Sequence, residues 1–176
     1  MQSDQAGRAA AAQSQPVGVS VERVTTPTAD VRRLVRELDR ELGGEYLPQQ
    51  RHGLSLEAIF QPPVRFFIAR LDGLAIGCGG IALFPEFAEV KRMYVQPDVR
   101  GRGVAQALLA HLELEAARDG WQLLRLETGD RQFAAMRLYE RAGFRRCEAF
   151  GAYRSMPLET IATSIFFEKR LASGFQ

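Results

Sequence analysis

The chain has 176 residues, the length of one domain, and 46% of them are hydrophobic while 25% are charged. This balance is that of a globular protein able to bury a core. The 23 basic and 21 acidic residues give a formal charge of +2 and form no long run of one sign. Charge therefore indicates neither a nucleic acid nor a membrane surface as a partner.

The cysteines and the N-terminus limit the cellular setting. Cys78 and Cys147 are too few and too far apart for a disulfide framework or a CxxC metal site, and we expect two reduced, buried thiols. No apolar stretch approaches the roughly 20 residues of a membrane span, and the first residues lack the apolar region of a signal peptide. We predict a cytoplasmic protein.

Hydrophobic periodicity divides the chain into a disordered tail at residues 1–16 and one domain over 17–176. The first half of the chain predicts a strand over 17–24, a helix N-capped by Thr28 and ended by Gly43 and Gly44, and a short helix from Ser55. Strands over 66–71 and 74–84, joined at Asp72-Gly73, and a strand over 89–95 follow. The second half predicts a helix over 101–117, a strand over 123–127, a helix over 132–141 closed by Gly143, and strands over 144–150 and 163–170. In the helix over 101–117, Val104, Leu108 and Leu112 should face the sheet. The fold class is α/β around one mixed, mostly antiparallel sheet.

Two glycines, Gly101 and Gly103, lie between the strand over 89–95 and the long helix. Unpaired N–H groups and the helix dipole favour an anion at such a helix start, and the missing Cβ lets the backbone approach phosphate oxygens. A P-loop would need GxxxxGK[ST], which occurs nowhere, and a dinucleotide GxGxxG would need glycine at Gln106. The pattern predicts a pyrophosphate site, with a tight strand-to-helix turn as the alternative interpretation.

Three segments carry a family resemblance. The segment Arg100–Ala105 (RGRGVA) resembles the R/Q-x-x-G-x-G/A signature of the GNAT superfamily of acetyl-CoA-dependent N-acetyltransferases. Leu138–Phe144 (LYERAGF) is similar to the family's L-Y-E-x-x-G-F segment, and Met93–Val95 resembles its strand leading into the cofactor turn. The resemblance spans residues from about 66 to 170. It implies a GNAT-like domain with about six or seven strands and about four helices.

The resemblance also implies acetyl-CoA as the cosubstrate, with no metal. Backbone groups of the strand would hold the pantetheine arm, and the glycine turn would hold the pyrophosphate. Gln132 stands where the family usually has an asparagine that bonds this arm, so its longer side chain makes that contact a departure from the pattern. The implied cofactor-binding residues are Met93, Tyr94, Val95, Arg100, Gly101, Arg102, Gly103, Val104, Ala105 and Gln132.

Catalytic candidates follow from the chemistry of acetyl transfer to an amine. An amine with a pKa of about 10.4 is protonated at neutral pH, so the reaction needs a base. By the resemblance, Glu89 matches a strand position where some members carry a glutamate base, and Tyr139 matches the usual acid that protonates the thiolate. Glu89 could instead pair with Lys91 or Arg92, and Tyr139 could pack in the core. Glu127 is the reserve base.

The remaining candidates are weaker. We interpret His52 and His111 as structural or solvated, and a covalent route through a cysteine lacks a nearby histidine. We therefore expect direct transfer in a ternary complex. By the resemblance, the variable segments 45–63 and 151–164 should select the acceptor. We predict that the acceptor is the primary amine of a small molecule.

Other functions stay open at this stage. The alternatives are a peptide or protein N-acetyltransferase, a non-catalytic acyl-CoA-binding module, and an ATP-binding protein, which the missing P-loop lysine disfavours. We expect no nucleic-acid or membrane partner, and we leave a homodimer open.

Overall fold

A seven-stranded sheet forms the centre of the structure, a computed structural model that describes residues 18–172. The strands are β1 (Val19–Val24), β2 (Val64–Leu71), β3 (Leu74–Leu83), β4 (Ala88–Val95), β5 (Leu123–Gly129), β6 (Arg145–Arg146) and β7 (Ser164–Arg170). Their order is β1-β2-β3-β4-β5-β7-β6, and β4–β5 is the one parallel pair within residues 18–172. The predicted mixed, mostly antiparallel α/β fold is confirmed. The predicted tail at 1–16 lies outside the described residues.

Four helices flank this sheet. They are α1 (Ala29–Glu45), α2 (Val104–Arg118), α3 (Phe133–Arg141) and the short α4 (Leu158–Ile161). Single 3₁₀ turns lie at Pro48–Gln50, Ala58–Phe60, Pro97–Val99 and Gly151–Ser155. Within residues 18–172, no helix has both the length and the apolar character needed to cross a membrane.

The sheet buries both of its faces. Side chains of β2 alternate, so that Phe67 and Ala69 join the core beneath α2, whereas Phe66 and Ile68 join the core beneath α1. Continuous burial along β2 and β3 follows from this arrangement, because each strand has a helix on either side. The two cores hold the sheet rigidly at the centre, where β4 and β5 run side by side.

Helix α1 starts as predicted and ends later than predicted. The Thr28 hydroxyl accepts a hydrogen bond from the Val31 N–H at 3.3 Å, which confirms the N-cap. Gly43 and Gly44 do not end the helix but lie inside its last turn, because neither adopts a positive φ. The chain leaves the helix at Tyr46, whose buried ring anchors the helix end.

Helix α2 begins three residues later than predicted. Gly101 and Gly103 have φ values of 78° and 80°, a left-handed conformation that a right-handed helix cannot contain. The helix therefore starts at Val104, and the glycines form the turn before it. Val104, Leu108 and Leu112 are buried against the sheet, as the helical spacing predicts.

Three other local predictions have mixed outcomes. The hairpin at Asp72-Gly73 is confirmed, with positive φ at both residues as a type I′ turn requires. The helix predicted from Ser55 is only a 3₁₀ turn at Ala58–Phe60. The strand predicted over 144–150 is wrong beyond Arg146, because the chain then leaves the sheet and Phe150 packs into a separate aromatic cluster.

Candidate active site

Strand β4 carries a bulge at the point where it leaves β5. Cys78 pairs with Tyr94 and Gly80 with Lys91, so β4 has one more residue than β3 across this interval. Arg92 within the bulge has a φ of 58°, a strained value for a side chain of its size. The bulge changes the direction of the backbone that follows it. The first of the residues predicted to hold the cofactor, Met93, comes directly after this bulge.

Beyond the bulge, β4 and β5 diverge. Their parallel pairing covers Ala88–Val90 against 124–126, and the register ends there. The edge of β4 at residues 93–95 that faces away from β3 is therefore not covered by β5. An N–H group on this edge can donate to a charge that develops in the gap between the strands.

Glycines of β3 make room for the bulge. A Cβ on Gly79 would lie 2.7 Å from the Met93 sulfur and 3.3 Å from a Leu108 methyl group. A Cβ on Gly77 would lie 2.8 Å from the Tyr94 carbonyl oxygen. Distances of 2.7 and 2.8 Å are shorter than real Cβ contacts. The flexible Met93 side chain can move away, but the Tyr94 backbone oxygen cannot, so the close approach of β3 and β4 depends most on glycine at position 77.

A cleft of about 630 Å³ opens between the diverging strands and the start of α2. Met93, Tyr94 and Val95 line it, as do Gly101, Gly103 and the first turn of α2. The first residues of α2 carry N–H groups without intrahelical acceptors, and the left-handed glycines leave them open to an anion. The predicted cofactor residues lining this cleft are Met93, Tyr94, Val95, Arg100, Gly101, Gly103, Val104, Ala105 and Gln132.

The two arginines of the glycine turn differ. Arg100 donates from Nε to the Val95 carbonyl at 2.9 Å and pairs through Nη2 with Glu41 at 2.6 Å. Its side chain therefore fixes the turn against β4 and α1. Arg102 is exposed and is not among the residues that line the cleft. A role for either side chain at a phosphate stays a prediction.

Gln132 lies where the cleft meets a second, smaller cavity. It precedes α3 as the N-cap residue and lines both spaces. Its side-chain amide nitrogen donates to the Glu45 carboxylate at the end of α1. The amide of Gln132 is thus engaged with α1 through its nitrogen, and a contact of this residue with the cofactor stays a prediction.

The second cavity has a volume of about 110 Å³ and adjoins the cleft. Its residues come from the end of α1, the segment 50–53, β4, β5 and α3. The two spaces share Leu38, Met93, Gln132, Ala135 and Tyr139 as walls. We refer to it as the acceptor pocket, because a molecule inside it would lie beside the part of the cleft next to the bulge.

Glu127 lines the acceptor pocket from β5. Its Oε1 accepts a hydrogen bond from the Ser164 hydroxyl at 2.7 Å. Burial raises the pKa of the Glu127 carboxyl; the Ser164 hydrogen bond and the positive charges of His52 and Lys91 counter this in part, and the Glu89 charge adds to it. A carboxylate with a raised pKa is a stronger base than an ordinary glutamate.

Glu89, the base predicted from the sequence, sits in a closed network. The Tyr153 hydroxyl donates to its Oε1 at 2.7 Å, and Lys91 Nζ contacts the same oxygen at 3.1 Å. Lys91 also donates to the Tyr153 hydroxyl and to the His52 carbonyl. Glu89 is 5% exposed and is not among the residues that line either cavity. Its role as base stays a prediction, and its pairing with Lys91 is observed.

Tyr139 lies at the junction of the cleft and the acceptor pocket. Its ring packs against Phe144 and Phe167 with centroid distances of 5.9 and 6.1 Å, so the core packing considered from the sequence is real. Burial raises the pKa of the Tyr139 hydroxyl, and the nearby Glu127 charge raises it further. The hydroxyl therefore stays protonated and able to donate at physiological pH.

The remaining candidates have structural surroundings. The Nε2 atom of His52 lies 2.9 Å from the Thr160 carbonyl, although the residue lines the acceptor pocket. His111 packs edge-on against Phe67, and burial lowers its pKa. Burial raises the pKa of the Cys78 thiol to about 12, so it is inert as a nucleophile. Cys147 is only partly buried, which departs from the prediction.

The two segments predicted to select the acceptor, 45–63 and 151–164, supply Tyr46 and Arg51 to the lining of the acceptor pocket and Tyr153 to the Glu89 network beside it. Tyr46 accepts a hydrogen bond from the Arg131 N–H at 2.8 Å and closes one wall. Tyr153 reaches Glu89 from a segment 64 positions away. Arg51 enters from an irregular loop. The sequence does not predict how these side chains converge; it indicates only that Lys91 shares a strand face with Glu89, at a spacing of two residues.

Comparison with known proteins identifies this arrangement. The profile of the acetyltransferase (GNAT) family matches residues 31–144, which include the bulge, the glycine turn and α3. The chain belongs to the GNAT family. This GNAT domain is an acyltransferase, and the resemblance on which the sequence prediction rested is confirmed.

Relatives of known name support this assignment. An IAA acetyltransferase of Azospirillum brasilense is 40% identical over 155 residues, covering 87% of this chain and 98% of that protein. A crystal structure from Klebsiella pneumoniae, assigned as an acyl-CoA N-acyltransferase, is 34% identical with a TM-score of 0.70, covering 88% of this chain and 98% of that one. A GNAT acetyltransferase of Elizabethkingia anophelis with acetyl-CoA bound has a TM-score of 0.63 at 20% identity, covering 88% and 99%. The last of these shows the fold alone.

Proposed function

We propose that this GNAT enzyme transfers the acetyl group of acetyl-CoA to the primary amine of a small molecule, by direct attack in a ternary complex. The observation that carries the proposal is the junction of the cleft and the acceptor pocket at Met93, Gln132 and Tyr139. An amine in the pocket and a thioester in the cleft would meet there without a covalent enzyme intermediate. We propose the whole of residues 17–176 as the domain that performs this transfer.

Acetyl-CoA fits the cleft by its chemistry. The glycine turn offers backbone N–H groups and the positive end of the α2 dipole to a pyrophosphate. The uncovered edge of β4 at Met93–Val95 offers backbone groups to an amide-bearing arm. The E. anophelis structure has acetyl-CoA bound, and a PaiA N-acetyltransferase structure from Thermoplasma acidophilum has coenzyme A, so the fold accommodates such a molecule.

We assign Glu127 as the base, because it lines the acceptor pocket and its pKa is raised by burial. It takes a proton from the ammonium group of the acceptor. The free amine then forms the new N–C bond to the acetyl carbon, and the C–S bond to CoA breaks. Glu89 stays the alternative base, and in our proposal it holds Lys91 and Tyr153 in place.

Tyr139 and the β4 backbone complete the proposed site. The negative charge that develops on the acetyl oxygen during attack is stabilised by an N–H of the uncovered β4 edge. The departing sulfur, with an ordinary thiol pKa of about 8.5, accepts a hydrogen bond and then a proton from Tyr139. The nitrogen loses its second proton as the neutral amide forms, and this proton returns Tyr139 to its protonated state. The transfer needs no metal in this scheme.

The size of the acceptor pocket favours a small acceptor over a protein. Its volume of about 110 Å³ is closed on one side by Tyr46 and by the segment 50–53. A cavity of roughly 150 Å³ already suffices to bind benzene, so this space is on the scale of a few heavy atoms. A peptide would have to enter through the cleft.

The test is CoA release from acetyl-CoA with a panel of small primary amines, with the acetylated product identified by mass spectrometry. We expect CoA and N-acetylated amine in equal amounts. Tight binding of acetyl-CoA without any acetylated product across the panel would instead indicate a binding module. Acetylation of lysine peptides in preference to every small amine would move the acceptor class to proteins.

A further inference from the structure

The acceptor pocket has an unusual balance of charge. Among the residues that line it, Glu127 is the one with an acidic side chain, whereas four have basic side chains: Arg51, His52, Lys91 and Arg92. An amine acceptor is itself a cation before it loses its proton. A pocket that binds only a simple amine gains nothing from so many positive groups, because like charges disfavour its entry.

Two of these basic groups are already engaged. Lys91 Nζ contacts Glu89, the Tyr153 hydroxyl and the His52 carbonyl within 3.1 Å. Arg92 pairs through Nη2 with Asp39 at 2.7 Å. The charges of Lys91 and Arg92 are therefore balanced by carboxylates outside the pocket lining.

Arg51 is different. Its Nε is buried, and among residues 18–172 this atom has no hydrogen-bond partner. The side chain also forms no ion pair within that part of the chain, although Glu127 lines the same pocket. The Nε of Arg92, which also lines the pocket, is likewise buried without a partner in the described part of the chain. Buried donors without acceptors are rare in folded proteins, and each calls for an explanation such as a ligand.

We infer that the acceptor carries a carboxylate close to its amine, and that the Arg51 guanidinium holds this carboxylate while Glu127 receives the ammonium group. The inference rests on the proposed function and specifies its substrate class. A guanidinium matches a carboxylate through two parallel N–H donors, and Arg51 lines the pocket without an ion-pair partner among residues 18–172. The acceptor is then a zwitterion of amino-acid size, which is consistent with a pocket of about 110 Å³.

The test compares matched acceptors in the CoA-release assay. Each set contains an L-amino acid, its amide, and the amine that lacks the carboxylate, such as alanine, alaninamide and ethylamine. We expect kcat/KM for the acid to exceed that of its amide and its amine by about ten- to a hundredfold, the effect of one charge-assisted contact. The amide is the sharper control, because its amine is more easily deprotonated than that of the amino acid. A faster reaction of the acid therefore cannot come from a more reactive amine.

Variants locate the effect. Arg51→Gln should raise KM for the amino acid and so reduce the acid-to-amine ratio of kcat/KM towards one. The kinetics with the amine that lacks the carboxylate should change little. Arg51→Lys should retain part of the preference, which keeps the test valid if the glutamine variant folds poorly. Arg40→Gln, a change of an exposed α1 arginine outside both cavity linings, should leave the ratio unchanged.

Each outcome separates the two claims. No acetylation of any acceptor would overturn the proposed function and this inference with it. Acetylation of amines as efficient as that of the matched acids would overturn the carboxylate inference alone. A strong preference for the acid that survives in both Arg51 variants would overturn the assignment to Arg51.

Discussion

The cofactor cleft and the acceptor pocket are adjacent, yet they are built in different ways. The cleft is made from backbone, at the uncovered edge of β4 and the turn through Gly101 and Gly103. The acceptor pocket is made from side chains such as Arg51 and Glu127, which converge from distant parts of the chain. The first can be recognised from a short run of residues, whereas the second exists only after folding.

This difference has a functional consequence. A backbone site selects a chemical class of ligand, in our proposal a pyrophosphate, and tolerates many side chains around it. A side-chain site can change its ligand when a few residues change, while the fold stays the same. We expect variants of the cleft to weaken binding of acetyl-CoA with every acceptor, and variants of the pocket to act on the acceptor amine alone.

The largest effect should come from the pocket. Replacement of Glu127 by Gln removes the proposed base but keeps the shape of the side chain. We predict that kcat/KM at neutral pH falls by about 10²–10⁴-fold, the usual contribution of general base catalysis. Steady-state CoA release, together with calorimetry to show unchanged affinity for acetyl-CoA, would measure it.

Glu89→Gln is the matched control, since both glutamates are largely buried and close enough to interact. Its loss of kcat/KM should be smaller, because the change disturbs the contacts to Lys91 and Tyr153 without removing the base. If Glu89→Gln abolished turnover while Glu127→Gln kept it, the base assigned from the sequence would be correct and ours wrong.

A smaller effect is expected at the junction of the two spaces. Tyr139→Phe keeps the ring that packs against Phe144 and Phe167 and removes only the hydroxyl. We predict a fall in kcat of about 10²-fold, with KM for both substrates little changed, because the donor acts on the departing sulfur. A variant with unchanged kcat but lower thermal stability would show that Tyr139 is only a core residue.

The cleft is tested by Gly103→Ala. The added Cβ would hinder close approach of a phosphate, and loss of one charge-assisted hydrogen bond should weaken acetyl-CoA binding by about ten- to a hundredfold. Gly120→Ala is the control, because Gly120 has a φ of 89°, faces open space and lies outside both cavities. Both changes should lower stability through backbone strain, and only the first should raise the Kd measured by calorimetry. Equal Kd values would refute the pyrophosphate turn.

Local signals in the sequence predict most of the fold. The Thr28 cap, the Asp72-Gly73 turn and the spacing of Val104, Leu108 and Leu112 depend on neighbours in the chain, and all are confirmed. The errors occur where tertiary packing decides. Gly43 and Gly44 remain helical, and the chain leaves α1 only at the buried Tyr46, although glycine disfavours a helix by about 1 kcal/mol per residue.

For the candidate site, too, the contiguous features are predicted from the sequence and the tertiary ones are not. The glycine turn and Met93–Val95 are contiguous and follow from a motif, and the structure places them around one cleft. The bulge at Arg92 depends on glycines of the neighbouring β3 strand, so no pattern within β4 reveals it. The choice between Glu89 and Glu127 requires knowing which carboxylate faces the pocket, and strand periodicity alone cannot distinguish them.

The most direct test of the account is the pH dependence of kcat/KM with the best acceptor. Burial raises the pKa of Glu127, so the base is protonated and inactive at low pH and becomes active as pH rises through that value. The wild type should then show a plateau up to the pKa of the acceptor amine. In Glu127→Gln only the fraction of acceptor that is already the free amine can react. Its kcat/KM should therefore rise about tenfold per pH unit up to the pKa of the amine, with no plateau below that pKa. A plateau that persists in Glu127→Gln would contradict the account.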